Sequence, residues 1–419
     1  MKKPTPSDMR YYGKRVVGPV MLPFTVWIIE QAERKGINKI YFLARDGYLL
    51  FEIARRICAY RKNGIECRYL YCSRQALRNP TYHLIGDEAL ELLTLGGYYA
   101  TRKSVLRRAP ISEGELNAIL ESLDIGKPDA PLSPKELEEF KSQLKGSNLY
   151  KTAVNEGSKK AYEATLGYLR QEGLFEDKTV AIADSGWTGS MQRSLRQLLE
   201  SDGFNGRICG FYFGMYASQK EKRDGEYNTF YFDSISGAKR KATFNNNLFE
   251  CMLSAPHPMT TGYAQRQKGE FYPVFAPDAS GAQRKMIKAQ IEGAIEYTEE
   301  KLAVMQPFIY KKEVKEVYRL LKRYTVYPTR RFAQTYGSFA FCDDVTEGYY
   351  IPLADLSQKK LLKKYMFIPR LMRKLFSLKA EASGELYWPY GVIALCPAPL
   401  RPWYRLNVRA WEFLKAYLK

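Results

Sequence analysis

The stretch V-A-I-A-D-S-G-W-T-G-S-M-Q, residues 180–192, decides the fold class of this chain. Its four small apolar residues predict a buried strand that ends at Asp184, and leucines at helical spacing predict a helix over 190–200. A turn rich in glycine and hydroxyl groups lies between them. In α/β proteins such a turn binds anions, because the N–H groups at the helix N-terminus point at the ligand. We therefore expect a phosphate site here, and an ordinary capped turn is the alternative. The residues expected to hold the phosphate are Gly186, Thr188, Gly189 and Ser190.

A second unit of the same kind begins with the predicted strand 39–44. Arg45 and Asp46 follow this strand, and apolar residues at helical spacing come next. Ligands of open α/β sheets bind outside the carboxyl ends of the strands, so we expect Arg45 and Asp46 beside Asp184 in one cleft. Arg45 is predicted to bind phosphate, and the two carboxylates are predicted to be catalytic. The same two could hold Mg²⁺, and no other cofactor is expected. A structural Arg–Asp ion pair is the alternative. Five further residues are expected at the rim: Arg74, Trp187, Gln192, Glu250 and His257.

The whole chain predicts an α/β protein with a mostly parallel, Rossmann-like sheet. A further strand is expected at 208–216, and a loop-rich segment at 240–263 is expected near the rim of the cleft. The charged section at about 85–170 predicts a helical insertion. We expect an α/β core at 1–270 and a helical region at 271–419 that ends in a basic, aromatic tail.

The formal net charge of +20 predicts an anionic partner. The excess is concentrated in residues 359–419, which hold thirteen Lys or Arg and three Glu. Residues 359–379 combine cations with bulky apolar side chains at helical spacing, which predicts an interfacial helix broken at Pro369. Trp403 and Trp411 among cations are typical of a lipid headgroup boundary. We expect this tail to hold the protein on an anionic membrane surface. A basic helical face packed on the protein's own core is the alternative.

Cysteine and histidine usage disfavours a zinc cluster. The seven cysteines form no C-x-x-C pair, and the chain has two histidines. The odd number of cysteines and the lack of an apolar signal core near the N-terminus predict a cytoplasmic protein. The basic tail adds the expectation of peripheral attachment at the inner face of the plasma membrane. The longest apolar run, residues 16–29, is interrupted by glycine and proline and is too short to span a bilayer. Nucleic acid is disfavoured as a partner because no RNA- or DNA-binding motif is present.

Five segments of the chain resemble one protein family, the predicted hydrolases of the haloacid dehalogenase superfamily encoded in bacterial surface-polysaccharide and glycosyltransferase loci. The resemblance covers about residues 10–265 and matches the region that follows the hydrolase domain in longer members. It implies a role in surface-polysaccharide synthesis, a phosphorylated sugar or nucleotide-sugar as ligand, and glycosyltransferases or a separate hydrolase as partners. The segments are G-K-R-V-V-G-P-V-M-L-P-F-T-V-W-I-I-E (13–30), Y-F-L-A-R-D-G-Y-L-L (41–50), Y-C-S-R-Q-A-L (71–77), D-S-G-W-T-G-S-M-Q (184–192) and L-F-E-C-M-L-S-A-P (248–256).

The chain departs from that superfamily at the catalytic nucleophile. The strand-end pattern D-x-D-x-T is absent from the sequence. In the nearest segment, Ala44 stands where the nucleophilic Asp belongs and Tyr48 where Thr belongs. An aspartyl-phosphate cannot form on alanine. The resemblance therefore implies the surface-glycan context more strongly than it implies the hydrolase chemistry.

A second likeness is to the phosphoribosyl-diphosphate loop of phosphoribosyltransferases, which reads hydrophobic-D-D-x-x-T-G-G-T. In that loop the acidic residues contact the ribose hydroxyls, and Thr and backbone N–H groups hold the 5′-phosphate. Asp184 matches one acid, and Ala183 stands at the other. Residues 188–190 match the phosphate-binding part. This is an analogy at the level of the fold.

Three functions therefore stay open. The first is an enzyme that handles a phosphorylated sugar or nucleotide-sugar in surface-polysaccharide synthesis, as a phosphate-ester hydrolase or a glycosyl transferase. The second is a transferase of the phosphoribosyl type. The third is a non-catalytic membrane-surface adaptor of a glycan-assembly complex. Convergence of Arg45, Asp46, Asp184 and Thr188 on one pocket would weigh against the adaptor.

Overall fold

The computed structural model describes residues 3–94, 100–216, 225–267, 269–277, 281–304, 309–342, 350–375 and 386–417. Nine strands lie within these ranges: β1 (Lys39–Leu43), β2 (Glu66–Leu70), β3 (Thr179–Trp187), β4 (Arg207–Met215), β5 (Glu226–Phe232), β6 (Thr260–Gln265), β7 (Phe271–Phe275), β8 (Ala340–Phe341) and β9 (Ile351–Pro352). The α-helices of the same ranges are α1 (Pro6–Tyr12), α2 (Gly18–Arg34), α3 (Gly47–Arg61), α4 (Arg74–Arg78), α5 (Tyr82–Ile85), α6 (Glu88–Thr94), α7 (Arg102–Leu106), α8 (Glu113–Ser122), α9 (Pro134–Gly146), α10 (Asn148–Gln171), α11 (Ser190–Ser201), α12 (Ala238–Lys241), α13 (Asn246–Leu253), α14 (Gly281–Leu302), α15 (Tyr310–Thr325), α16 (Arg330–Gly337), α17 (Lys359–Leu362), α18 (Phe367–Leu375), α19 (Pro389–Leu395) and α20 (Arg401–Tyr417).

Five parallel strands form the central sheet in the order β2-β1-β3-β4-β5. The chain adds β2 on one side of β1, and it adds β4 and then β5 on the opposite side of β3. The direction in which strands are added therefore reverses between β1 and β3. Open α/β sheets bind their ligands at such a reversal, outside the carboxyl ends of the strands. The expected α/β class with a parallel, Rossmann-like sheet is therefore confirmed. The edge strand β5 was not predicted from the sequence.

Alternation along the central strands divides the sheet residues between two apolar layers. Ile40 and Ala181 point into the larger layer, together with helices α2, α3, α13 and α14. Tyr41 and Ile182, one residue further along each strand, point into the second layer with α10 and α11. Both faces of the sheet are thus covered, as the near-continuous apolar runs of β1 and β3 require.

The helical insertion and the helical C-terminal region are both present as expected. Helices α5 to α10 span residues 82–171, and most of them share an apolar cluster of their own around Phe140 and Leu116. The C-terminal helices instead extend the larger layer on the sheet, since Trp388, Val392 and Val408 belong to the same cluster as the strands. The indole of Trp388 is fully buried and donates to the carbonyl oxygen of Thr325 at 2.9 Å.

The basic segment is helical in part, but Pro369 does not break it. The proline is the third residue of α18, where its missing N–H group has no intrahelical partner to lose. Short turns at 359–362 and 363–365 precede this helix. Within the described ranges, no helix combines the length and the apolar character that crossing a bilayer requires.

Candidate functional site

The candidate site is a cleft of about 340 Å³ at the carboxyl edge of the sheet. Strand β1 pairs with β3 as far as Ala183. The sequence analysis ended β3 at Asp184, but the strand continues to Trp187 because β4 goes on pairing with it, up to Met215. Residues 184–187 therefore have no β1 partner on their other side. The cleft opens along this overhang, between the residues that follow β1 and those that end β3.

Two glycines give the backbone room to form this edge. At Gly47, the first residue of α3, a Cβ atom would lie 2.7 Å from the carbonyl carbon of Phe42. At Gly186 the φ angle is +113°, and a Cβ atom would lie 2.3 Å from the carbonyl oxygen of Gly214. Trp187 follows with φ +74°, which is uncommon for a bulky side chain and costs on the order of 1–3 kcal/mol. Strain of this kind clusters at ligand-binding sites.

Three carboxyl groups line the cleft, and they come from three different elements. Asp46 follows β1, Asp184 lies on the overhang of β3, and Glu250 lies on α13. Asp46 accepts a hydrogen bond from the hydroxyl of Ser185. Glu250 accepts one from the indole N–H of Trp187, with 2.8 Å between Nε1 and Oε1. The structure thus brings the two predicted catalytic carboxyls together and adds Glu250 beside them.

Burial and mutual repulsion shift all three carboxyls toward their protonated forms. Burial, and then the charge of Asp46, raise the pKa of Asp184 to about 8, although backbone N–H groups oppose the shift. Burial and the same charge raise the pKa of Glu250 to about 7. The pKa of Asp46 is also raised by burial, against the Ser185 hydrogen bond. The cleft therefore holds at least one exchangeable proton near neutral pH, which is what a general acid needs.

Two arginines supply positive charge to the same cleft. Arg45 and Arg74 both line it, and both side chains are exposed at its mouth. Their charges lower the pKa of Asp46 and of Glu250, against the effect of burial. A site with carboxyls at its floor and guanidinium groups at its mouth suits a ligand that carries both hydroxyls and phosphate.

The predicted phosphate-binding turn reaches the cleft. Gly186, Thr188 and Ser190 line it. Gly189, the fourth residue predicted for the phosphate, is the N-cap of α11 and has φ +68° with no side chain to cap the helix. The N-terminus of this twelve-residue helix therefore receives no N-cap side-chain hydrogen bond, and the hydroxyls of Thr188 and Ser190 stand next to it. This arrangement fits the expected anion-binding turn.

Of the five predicted rim residues, His257 lines the cleft but has both ring nitrogens engaged. Its Nδ1 lies 2.7 Å from the carbonyl oxygen of Pro258, which can only accept, so Nδ1 carries the proton. Its Nε2 then accepts from the hydroxyl of Tyr69, also at 2.7 Å. Burial lowers the pKa of His257. The imidazole is thus a neutral, aromatic-packed group and not a base directed at a ligand.

Gln192 was predicted to lie at the rim of the cleft, but it does not. The side chain is fully buried in α11, on the side that faces the outer strands of the sheet. Its Oε1 accepts from the hydroxyl of Tyr212 at 2.7 Å, and its Nε2 donates to the carbonyl oxygen of Glu226. Gln192 lies two residues beyond Ser190, and this spacing turns it by more than half a helical turn away from the cleft. The remaining rim residues Arg74, Trp187 and Glu250 do line the cleft.

Part of the cleft wall comes from elements that the sequence analysis did not predict. Helix α13 lies inside the segment expected to be loop-rich, and Asn245 caps it by accepting from the N–H of Leu248 at 2.8 Å. The spacing N-N-N-L-F-E could have indicated this cap. A roof over the cleft was not foreseen, because it comes from a part of the chain that is distant in sequence from the sheet. The roof residues are Gln283, Ile287, Ala340, Phe341, Cys342 and Tyr350.

Comparison with known proteins identifies no relative: no family model matches the chain, and no curated protein is significantly similar to it. The resemblance to hydrolases of polysaccharide loci therefore stays a prediction from the five segments quoted above. The function has to be argued from the cleft itself.

Proposed function

We propose that the protein is an enzyme that acts on a phosphorylated sugar or nucleotide-sugar, breaking or transferring the bond between sugar and phosphate. The observation that carries this proposal is that three carboxyls with raised pKa values, two arginines and a glycine-rich turn before a helix all line one cleft. Phosphate suits the turn and the arginines, and sugar hydroxyls suit the carboxyls. The bacterial surface-polysaccharide context comes from the sequence resemblance alone.

The chemistry follows from the proton states of the carboxyls. Asp184, with a pKa of about 8, holds a proton at neutral pH and donates it to the leaving oxygen. Asp46 takes the proton of the attacking water or hydroxyl, and Ser185 orients it through their hydrogen bond. Arg45 and the turn at 186–190 hold the phosphate. No covalent aspartyl-phosphate is involved, since Ala44 occupies the position of that nucleophile.

A phosphoribosyl-type transferase is the second candidate, and the position of the turn favours it. Asp184 comes directly after the part of β3 that pairs with β1, and residues 188–190 lead directly into α11 at the point where the sheet winding reverses. In this version the acid contacts ribose hydroxyls and the turn holds a 5′-phosphate. Release of pyrophosphate that depends on an added acceptor distinguishes transfer from hydrolysis, which releases orthophosphate or a nucleotide without an acceptor.

Binding of Mg²⁺ by Asp46 and Asp184 stays a prediction. Their oxygens are the hard donors that Mg²⁺ prefers. Burial raises the pKa of both carboxyls, and the charge of Asp46 raises that of Asp184 further. Among the described residues, no group of three or more His, Cys, Asp and Glu is arranged to hold a metal ion. A bound Mg²⁺ would therefore rely on substrate phosphate as well, and it would neutralise that phosphate. Binding of a sugar phosphate by calorimetry, with and without Mg²⁺, tests this.

The direct test follows sugar 1-phosphates, nucleotide-sugars and phosphoribosyl diphosphate by ³¹P NMR with the wild type and with Asp184→Asn. We expect turnover of one substrate class and a loss of at least 100-fold in Asp184→Asn, the usual contribution of a general acid. Asp177→Asn is the matched control, because Asp177 precedes the same strand at the opposite edge of the sheet. Equal rates in the two variants, or no binding of any of these compounds, would contradict the proposal.

We also propose that the protein associates peripherally with anionic membranes through α18 and α20. Ile368, Trp403 and Leu406 are 67%, 58% and 65% exposed, which is high for large apolar side chains. Trp403 and Leu406 are one turn apart on α20, as an inserted helical face requires. Cations of the same segment, such as Lys360 and Arg409, are exposed and suit acidic headgroups.

A further inference from the structure

Apart from the candidate site, the structure has a concave feature beside β5, the edge strand of the sheet that lies farthest from β2. It is a groove of about 610 Å³ between α12 and α15. Helix α12 packs between β5 and α20, and α15 packs on α2, so both walls are fixed to the core. The volume is that of an ordinary small-molecule site.

The charge of this groove is of one sign. Among its ten lining residues, five are Lys or Arg and none is Asp or Glu. Three of the cations, Lys311, Lys315 and Arg319, follow each other at four-residue spacing and so share one face of α15. The other two, Lys239 and Arg240, lie on α12 across the groove.

These cations are not compensated by the protein. Within the described part of the chain, none of the five forms an ion pair or a hydrogen bond with a carboxylate. The Nε atom of Arg240 is buried and has no hydrogen-bond partner. Some surface cations elsewhere are paired with a carboxylate, as in the contact of Lys14 with Glu300 at 2.6 Å. Five like charges in one concavity repel each other, and an anion in the groove relieves that repulsion.

Acidic residues on the elements around the groove interact with other groups. Burial, and then the charges of Glu313 and Glu316 on α15, raise the pKa of Tyr297 on α14. Asp233 accepts hydrogen bonds from the backbone N–H groups of Ile235 and Ser236 at 2.8 and 2.6 Å. Its charge is thus held by the loop that precedes α12.

The floor of the groove is apolar. Val314 is buried there, and the ring of Tyr318 lies under the ammonium groups of Lys239 and Lys322 at 5.7 and 5.9 Å. The hydroxyl of Tyr310 is engaged with the carbonyl oxygen of Phe230 at 2.6 Å, which fixes its ring in the wall. The groove therefore offers cations at its sides and ring and methyl surface at its base.

We propose that this groove is a second anion site, which binds a small ligand with several phosphate groups and an apolar or flat portion. The row on α15 spans about 12 Å, from the rise of 1.5 Å per residue, which matches a chain of phosphates better than a single one. The site is separate from the cleft at the carboxyl edge and does not depend on the function proposed for it.

The test measures binding of tripolyphosphate and of ATP by calorimetry with the full chain. Lys315→Ala/Arg319→Ala removes two groove cations. The matched control Lys285→Ala/Lys288→Ala removes two exposed cations from α14, which do not line the groove. We expect binding in the wild type and the control, and affinity at least tenfold weaker in the groove variant. Tighter binding of ATP than of tripolyphosphate would show that the apolar floor of the groove also contributes to ligand binding.

Two further measurements are made. One distinguishes free phosphate from lipid phosphate as the ligand, and the other distinguishes binding in the groove from binding in the cleft. Vesicles of phosphatidic acid in phosphatidylcholine are compared with phosphatidylcholine alone. If the wild type binds the acidic vesicles and the groove variant does not, the groove recognises phosphate that belongs to a lipid headgroup. Asp184→Asn is expected to bind ATP and tripolyphosphate in the groove as the wild type does. Absence of binding to every probe, or equal affinity in the groove and control variants, overturns the proposal.

Discussion

Carboxyl groups crowded in the cleft make the stability of this protein depend on pH. The pKa of Asp184 is raised from 3.8 to about 8 in the folded chain, so between these values the folded state binds a proton that the unfolded state has lost. The free energy of unfolding must then fall as the pH rises, by at most about 1.4 kcal/mol per pH unit for one such group.

We predict that Asp184→Asn removes most of this pH dependence. The wild type should lose stability between pH 5 and pH 8, and the variant should lose less, since the amide keeps the shape of the carboxyl without its charge. Urea unfolding at each pH measures the difference. Glu121→Gln is the control, because Glu121 is an exposed acid on α8. Parallel pH profiles for the wild type and Asp184→Asn would show that the carboxyl is not desolvated.

The turn after β3 supplies a second prediction, because Gly186 is confined by its neighbours as well as by its φ angle. Gly64 also has a positive φ, +74°, but a Cβ atom there would meet nothing within 4 Å. Gly64→Ala should cost about 1 kcal/mol of stability, from backbone strain alone. Gly186→Ala should cost about 1–3 kcal/mol more, because its Cβ overlaps the β4 backbone, and it should also weaken phosphate binding. Chemical denaturation and calorimetry measure the two effects. Equal losses in the two variants would mean that the loop is free to move away from β4.

Sequence reasoning reached the polar residues of the cleft because each belongs to a local pattern. Arg45, Asp46 and Asp184 follow apolar runs, and the topology of a parallel sheet then brings them to one edge. Gln192 was misplaced because its burial depends on Tyr212, a partner that no local pattern reveals. Local pattern also placed the end of β3 too early, since strand pairing with β4 decides where that strand stops.

At the level of elements, α20 combines a buried side and an exposed apolar side. Val408 is buried, whereas Trp403 and Leu406 are exposed on the other side of the helix. Sequence periodicity alone could not separate a helix packed on the core from one that faces a membrane. The structure shows that one side of α20 packs on the core and that another side exposes apolar side chains to solvent.

We predict that Trp403→Ser/Leu406→Ser reduces sedimentation with phosphatidylglycerol vesicles at least fivefold, because both side chains leave water on insertion. Tyr60→Ser/Leu149→Ser is the control, since it removes two exposed apolar side chains from other surfaces. Binding should also weaken steeply with added salt, because the cations act over about 8 Å at physiological ionic strength. Equal sedimentation of the two variants would leave α20 as ordinary surface.

For the whole molecule, the shared apolar layer joins the sheet to the C-terminal helices. We predict that the protein unfolds in one transition, with coincident signals from tryptophan fluorescence and far-ultraviolet circular dichroism. Trp388→Ala should lower the free energy of unfolding by about 3–5 kcal/mol, because it leaves a large cavity between the two parts. Trp403→Ala, at an exposed tryptophan, is the control and should change stability by less than about 1 kcal/mol. Two separate transitions would show that the regions are independent.

The roof of the cleft has a consequence for the order in which the site is assembled during synthesis. Asp46 and Asp184 leave the ribosome early, and the roof residues, such as Gln283 and Tyr350, leave it more than a hundred residues later than the first of them. A nascent chain that has folded its sheet thus carries the carboxyls in an open, water-filled groove. Synthesis therefore forms the floor of the cleft first and encloses the carboxyls only when the roof residues arrive.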